Sequence, residues 1–525
     1  VGWTGRYENM NNMRVSTNGG LVTENWFDLN ASRYTPSSTL QRMELLKTGY
    51  MGTLSLGWDN YLFLELTGRQ ERSSTLKDQS FFYPSANLSF LFTQAFHMPS
   101  WWNYGKLRLS YGIVGNAPET YTANIVYEQG SDNGFTWNTI PSSWGNADIR
   151  PEKKYEYEIG LESKFLNNRL GIDVSYYNNR VKDQILSTPQ PSTSGVKNVL
   201  MNVGEVANHG WDISISATPI LTRDFRWDLT ANYGVYKNKV VKLADGVPYL
   251  EILNSGGSGI KIQAVEGQPM GDIYAQVPQV NENGEYLVSD KGLYLNQTEL
   301  QKVGNINPAG VGGLFNSFSY KNVFLDFSID FRIGGDVINE MNQYATAVGL
   351  TPESLKYRDT EHGGLSYYYP GDNNSSGIPV QVDPSTGAGP NGEIIYHDGI
   401  ILPGVVASTG ERNTRIIPAG YYYNTTYNWG TEAEQLTYRH SVFDNSYVKL
   451  RELTIGYQFP EKMISKLGLG RLSVSVFGRN LFYFYKALKN YDAESSVGTS
   501  WANQATVGSS TTATRSFGVS LRASF

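Results

Sequence analysis

The chain has 525 residues, no cysteine, 43 basic against 49 acidic side chains, and a formal net charge of −6. Zero cysteine excludes a disulfide scaffold, thiol catalysis and Cys-ligated metal clusters, and the acidic balance excludes the electrostatic footprint of a nucleic-acid binder. A mean hydropathy of −0.38 reads as water-soluble, but such an average says little about a transmembrane β-barrel, in which every second strand residue is polar.

In chain order, the first clear alternation puts Leu54, Leu56 and Trp58 against Thr53, Ser55 and Gly57, and Asp59-Asn60 then makes a tight turn. Leu62, Leu64 and Leu66 form the return strand, with further strands near 83–92 and at 107–112. The pattern sharpens at Tyr155, Tyr157, Ile159 and Leu161, which oppose Glu156, Glu158, Gly160 and Glu162. Asn167-Asn168 turns the chain into Leu170, Ile172, Val174 and Tyr176. Strands at 211–218, 227–235 and 323–333 repeat the design, with Asp212, Asp228, Asp326 and Asp330 on the polar face. The last strand alternates Phe517, Val519, Leu521, Ala523 and Phe525 with Ser516, Gly518, Ser520, Arg522 and Ser524.

Connection lengths alternate. Short turns lie near 59–60, 167–169, 221–224 and 321–322, and long connections at 112–153, 183–207, 237–311 and 335–446. This interleaving predicts an all-β, antiparallel up-and-down transmembrane barrel with short periplasmic turns and long extracellular loops. The 36 Tyr, 11 Trp and 22 Phe suit aromatic girdles at the membrane interfaces. About fifteen strands are expected, with Phe525 on the short-turn side and Val1 on the loop side. An odd count cannot close with both ends periplasmic, so residues 1–525 are expected to be the C-terminal part of a larger barrel of about 22 strands. Val1-Gly2-Trp3 shows no signal-peptide pattern, so the chain is expected to be mature or to lack its beginning.

Segments along the whole chain carry a family likeness: Y-P-S-A-N-L-S-F at 83–90, K-L-R-L-S-Y-G at 106–112 with Gly115-Asn116, Arg150-Pro151-Glu152 and Gly160-Leu161-Glu162. They continue with N-V-G-E-V-A-N-H-G-W at 202–211, Gly304-Asn305-Ile306-Asn307-Pro308, Y-V-K-L-R-E-L-T-I-G-Y at 447–457 and Phe477-Gly478-Arg479-Asn480-Leu481. Together they resemble the SusC/RagA-type TonB-dependent outer-membrane transporters of Bacteroidota. The resemblance implies a bacterial outer-membrane location and import of oligosaccharides or peptides. It also implies a SusD-like lipoprotein over the extracellular mouth and energy from the TonB complex. The N-terminal domain, plug and TonB-contacting segment of the family are expected to lie outside this sequence. A terminal Phe525 resembles the signal read by the barrel assembly machinery, and the apolar face implies contact with lipid or lipopolysaccharide. A passive binding or adhesion barrel is the alternative.

No enzyme chemistry is expected. His97, His209, His362, His397 and His440 show no metal-ligand spacing, and neither a nucleophile elbow nor a phosphate loop occurs. The glycine-dense stretch at 256–259 reads as loop, and Asn281-Glu282-Asn283-Gly284-Glu285 reads as an Asn-Gly turn, not a calcium loop. Neither a metal nor a cofactor is expected. The carboxylates of the polar face read as solvated lumen lining. Candidate ligand- or partner-binding residues lie in the longest loop: Tyr367, Tyr368, Tyr369, Tyr421, Tyr422, Tyr423, Tyr427 and Trp429. Clustered aromatics offer wide contact area at low entropy cost. They serve a substrate, a lid lipoprotein or the loop's own core.

Overall fold

A computed structural model describes the chain except residues 78–79, 133–134, 256–258, 372–376, 429–436, 466–467, 497, 499, 509–512 and 525. Trp429 and Phe525 therefore lie outside the described residues, as does most of the glycine-dense 256–259 stretch. The chain divides into two compact units, Val1–Trp211 with Lys237–Pro248, and Asp212–Tyr236 with Tyr249–Phe525.

The first unit carries β1 (Gly2–Leu21), β2 (Ser32–Trp58), β3 (Leu62–Ser73), β4 (Ser80–Phe90), β5 (Trp102–Asn116), β6 (Glu152–Phe165) and β7 (Leu170–Lys182). Then come β8 (Glu205–Leu221) and β9 (Phe225–Lys242), which contribute to both units. The second unit adds β10 (Gly310–Tyr320), β11 (Val323–Ile333), β12 (Tyr447–Gln458), β13 (Arg471–Lys486) and β14 (Ser516–Ser524). These strands form one sheet of fourteen in strictly sequential order. The antiparallel up-and-down wall is thus as expected.

Two expectations need correction. Among the described residues the sheet has fourteen strands where about fifteen were expected, so the odd-number argument for missing strands lapses. Val1 also lies on the short-turn side: Gly2 pairs with Met51 and Leu21 with Ser32, which directs the start of β1 toward the 59–61 turn. The error arose in the first hairpin, where residues 8–14 (E-N-M-N-N-M-R) show no apolar alternation. The backbone ladder nonetheless holds β1 to β2 from Gly2↔Met51 to Ser16↔Ser37. Hydrogen bonding sets that element where side-chain pattern is silent.

The short turns form where residues tolerate left-handed backbone. Asp59 and Asn60 sit at φ 51° and 59°, and Asn167 and Asn168 at 58° and 63°. Short polar side chains that bond locally lower the cost of that region. Registry then stacks apolar residues across strands. Leu109 pairs with Ile159, and Ile159 with Tyr176. In the other unit Leu325 pairs with Ile455, Ile455 with Val476 and Val476 with Val519.

That face is open to its surroundings: Ile159 is 47 %, Val476 53 % and Leu521 68 % exposed. Rows of exposed aliphatics this extensive are unfavourable in water at about 25 cal/mol per Å² and favourable in hydrocarbon. Among the described residues no helix is long and apolar enough to cross a membrane.

The opposite face is a charge ladder. Arg108 donates to both oxygens of Asp173 at 2.6 and 3.2 Å, with Glu162 3.6 Å away. Ser175 donates to Glu158, and Asn179 to Glu156. Asp228 accepts from Arg226 and Thr218, Asp326 from Ser317 and Asp330 from Arg451. Each of these carboxylates bonds a neighbouring side chain, the arrangement of wall lining.

The dry core of the second unit lies in the loops. A sheet of Tyr249–Ser255, Ile260–Val265, Asp272–Ala275 and Gln301–Asn305 buries Ile260, Ile262 and Ile273 completely, against Ile338, Tyr438 and Val442. Each such side chain contributes about 2 kcal/mol of burial, which gives the long connections a fixed structure.

Candidate functional site: an aromatic cup between two long connections

The longest connection, between β11 and β12, folds around helix α1 (Glu340–Ala347), helix α2 (Ala419–Tyr427) and a small sheet of Val380–Gln381, Leu365–Tyr368, Tyr396–Ile400 and Ile417–Pro418. Asn339 caps α1 by accepting from the Asn342 amide at 3.0 Å. Helix α2 follows Pro418, whose fixed φ suits the position just before a helix. Along α2 the pair Tyr423 and Tyr427 sits one turn apart, with ring centroids 5.7 Å from one another and Tyr422 beside both at 5.1 and 6.1 Å.

These three rings line a cavity of about 620 Å³. Tyr357 lines it too, and Tyr294 joins from the connection between β9 and β10, with Glu353 and Lys356 as its charged members. Leu293, Ile400, Leu402 and Ile417 form the apolar base on which Tyr294, Tyr357, Tyr421 and Tyr422 pack. The Tyr423 hydroxyl donates to the carbonyl of Glu353 at 2.8 Å and so pins α2 to the 352–355 turn.

Tyr357 is held at φ 68°, a left-handed conformation rare for an aromatic residue. The turn that enforces it closes through Tyr357 N–H to His362 O at 2.9 Å and Gly364 N–H to Asp359 O at 2.7 Å. Lys356 Nζ stands 4.8 Å from the Tyr357 ring centroid. A strained residue facing a cavity marks a place where the fold holds a side chain for use.

Burial pushes the Tyr423 and Tyr294 hydroxyls up to about 12, with neighbouring tyrosines adding to it. Burial raises Tyr422 further, and it also raises Tyr427 above the ordinary phenol value. Tyr294, Tyr422, Tyr423 and Tyr427 therefore present neutral phenols and ring faces at any physiological pH. His440 stacks on Tyr427 at 4.4 Å, and burial, helped by the charge of Arg439, pushes its imidazole down to about 4. The cup offers stacking surfaces and hydroxyls, with one cation and one carboxylate. That equipment suits binding of a polar molecule with flat apolar faces.

The structure divides the predicted aromatics. Tyr422, Tyr423 and Tyr427 line the cup, and Tyr421 packs on its base. Tyr367 is 1 % exposed, donates to Asp398 at 3.1 Å and stacks on Tyr396 at 5.5 Å. With Tyr369 and Ile416 it forms a separate core. Tyr368 is half-buried beside Gly389. The sequence reading missed Tyr294 and Tyr357, isolated tyrosines without the clustering that drew attention to the others. Elsewhere, Asn281-Gly284 is a local turn: Asn281 Oδ1 accepts from the amides of Asn283 and Glu285, and Gly284 is left-handed.

A wall of sequential hairpins, apolar on one face and charged on the other, with all its long connections on one edge, defines an outer-membrane β-barrel protein. Residues 2–270 match the family model described as TonB dependent receptor-like, beta-barrel. TonB-dependent receptor P3 of Formosa agariphila is 24 % identical over 494 residues, which cover 86 % of this chain and 42 % of the relative. TonB-dependent receptor SusC of Bacteroides thetaiotaomicron is 30 % identical over 247 residues, covering 43 % of this chain and 24 % of the relative. The solved RagAB peptide transporter superposes with a TM-score of 0.65 at 18 % identity, over 92 % of this chain and 49 % of its own. The chain belongs to the TonB-dependent receptor-like β-barrel family and is an outer-membrane protein. It spans less than half the length of the curated relatives described here.

Proposed function

We propose that this chain forms the substrate-facing barrel portion of a SusC-like, TonB-dependent importer that takes up oligosaccharides. The observation that carries the reading is the cup of five tyrosines built from two long, extracellular connections. Sugar rings stack their apolar faces on aromatic side chains while their hydroxyls bond to phenols. A tyrosine-lined cavity offers stacking faces and phenols to an uncharged glycan, and a peptide would also find hydrogen bonds and the charges of Lys356 and Glu353 here. On the same reading a SusD-like lipoprotein closes over the long loops. The TonB complex acts through a plug and contact segment supplied by sequence outside residues 1–525, and the barrel assembly machinery inserts the wall.

The test is uptake. In the native protein, Tyr422→Ala with Tyr427→Ala is expected to lower growth on the imported glycan by about tenfold or more, as loss of two stacking contacts of about 1 kcal/mol each requires. Heat-modifiable barrel and lipoprotein co-purification stay unchanged. Normal uptake by that variant removes the cup from the transport path. Binding without energy-dependent uptake in the unaltered protein instead identifies a passive binding barrel.

A further inference from the structure

The outward face of β6 and β7 changes character in steps toward the long-loop edge. Its paired rows are Leu161 with Val174, Ile159 with Tyr176, Tyr157 with Asn178, Tyr155 with Arg180, and Lys153 with Lys182. Aliphatics give way to aromatics and then to cations, the profile of a side chain column leaving hydrocarbon for a headgroup layer. Four residues of strand separate Tyr157 from Lys153, about 13 Å along the strand and roughly 10 Å in height at the usual tilt. The cations thus stand at headgroup level on the extracellular side.

Lys153 and Lys182 are directly opposite one another. Like charges in that position, with β-carbons about 5 Å apart, are destabilising. The neighbouring carboxylates are engaged elsewhere: Glu205 with Arg180 at 3.0 Å and Asp183 with Arg150 at 3.5 Å. Lys182 Nζ stands 5.9 Å from the centroid of the Tyr155 ring. Among the described residues neither lysine makes an ion pair. Lys237 and Lys239 continue the outward parity of β9 and are exposed.

We propose that Lys153 and Lys182, with Tyr155 beneath them, form a binding site for the phosphate groups of an outer-leaflet lipid. An anion bridging the two ammonium groups relieves their repulsion, charge-assisted hydrogen bonds hold it, and the acyl chains lie along the Ile159 and Leu161 rows. The site is on the outer wall and is independent of the cup.

Native mass spectrometry of the detergent-solubilised native protein tests this with diphosphoryl lipid A, its dephosphorylated counterpart and inorganic phosphate as probes. The expected result is preference for the diphosphorylated lipid, lowered about tenfold in K153Q/K182Q and unchanged in K197Q. Excess inorganic phosphate leaves the lipid bound. Equal binding by the double variant overturns the site. Equal binding of the dephosphorylated lipid by the unaltered protein shows acyl contact alone and also overturns it. Displacement by inorganic phosphate overturns the assignment to lipid in favour of a free anion. Lipid-free thermal unfolding checks the folded state independently: removal of the repulsion leaves the melting temperature of K153Q equal or higher, and a lower one contradicts the unrelieved pair.

Discussion

At the scale of single residues, the cup depends on backbone placement. A β-carbon on Gly364 would stand 2.2 Å from the carbonyl oxygen of His397 and 2.8 Å from those of Asp359 and Tyr357. No rotamer change relieves contact with three backbone atoms, so Gly364→Ala must open the turn that holds Tyr357 left-handed. The expected outcome is weaker glycan binding with the wall intact, read by binding assays beside heat-modifiable mobility. An unaltered affinity would detach Tyr357 from the site. Lys449 makes a second residue-scale case. It is 1 % exposed and donates to Glu494 at 2.5 Å, while Arg451 donates to the same carboxylate at 2.6 Å. Glu494→Gln leaves a buried ammonium without its counter-charge, at a cost of about 3–5 kcal/mol. Thermal unfolding and proteolysis between β13 and β14 measure it.

At the scale of elements, the two loop anchors respond differently to acid. The His440 imidazole on Tyr427 is held at about 4, below the ordinary 6.5. An unfolded loop binds the proton more readily, so this stabilisation is full above the ordinary value and is lost as pH falls from 6.5 toward 4. Each pH unit in that window weakens the α2 packing by up to about 1.4 kcal/mol. Glu494 responds in the same direction but in a lower range. Burial raises its carboxyl, but hydrogen bonds from Arg451 and Lys449 outweigh that and hold it at about 2. Its contribution is full above the ordinary value near 4.5 and is lost progressively as pH falls from there toward 2. At pH 5, proteolysis is expected to cut near α2 well before it cuts between β13 and β14. Simultaneous cutting would show that the loops unfold as one.

At the scale of the whole molecule, sidedness is the property to test. Cysteines introduced at Asn168, in the short turn, are expected to resist an impermeant label on intact cells. Cysteines at Asn283, in the long connection between β9 and β10, are expected to react. The absence of native cysteine makes the labelling clean. A reversed pattern would invert the wall. The apolar rows that cross the membrane are exposed in the isolated chain, Val519 at 72 % among them, so the protein needs detergent or lipid to remain soluble.

The sequence by itself determined the wall. Alternation at 155–165 and 170–176, and interleaved short and long connections, follow from local rules: a pleat of period two, asparagine at left-handed turns, lipid on one face. Such rules are written in neighbouring residues, and the structure follows them strand by strand after β2. They failed in β1, where pairing rests on backbone bonds that carry no side-chain pattern. The site was only partly legible. The run Tyr421-Tyr422-Tyr423 drew attention because it is a run, and the same reasoning drew Tyr367 and Tyr369, which the structure buries in a separate core. Only the tertiary structure brought Tyr294 and Tyr357 to Tyr422, because chain segments far apart in sequence meet through burial of Leu293 and Ile400, and no local period records that meeting. It alone also set Lys153 opposite Lys182, since register across two strands decides which charges must face one another.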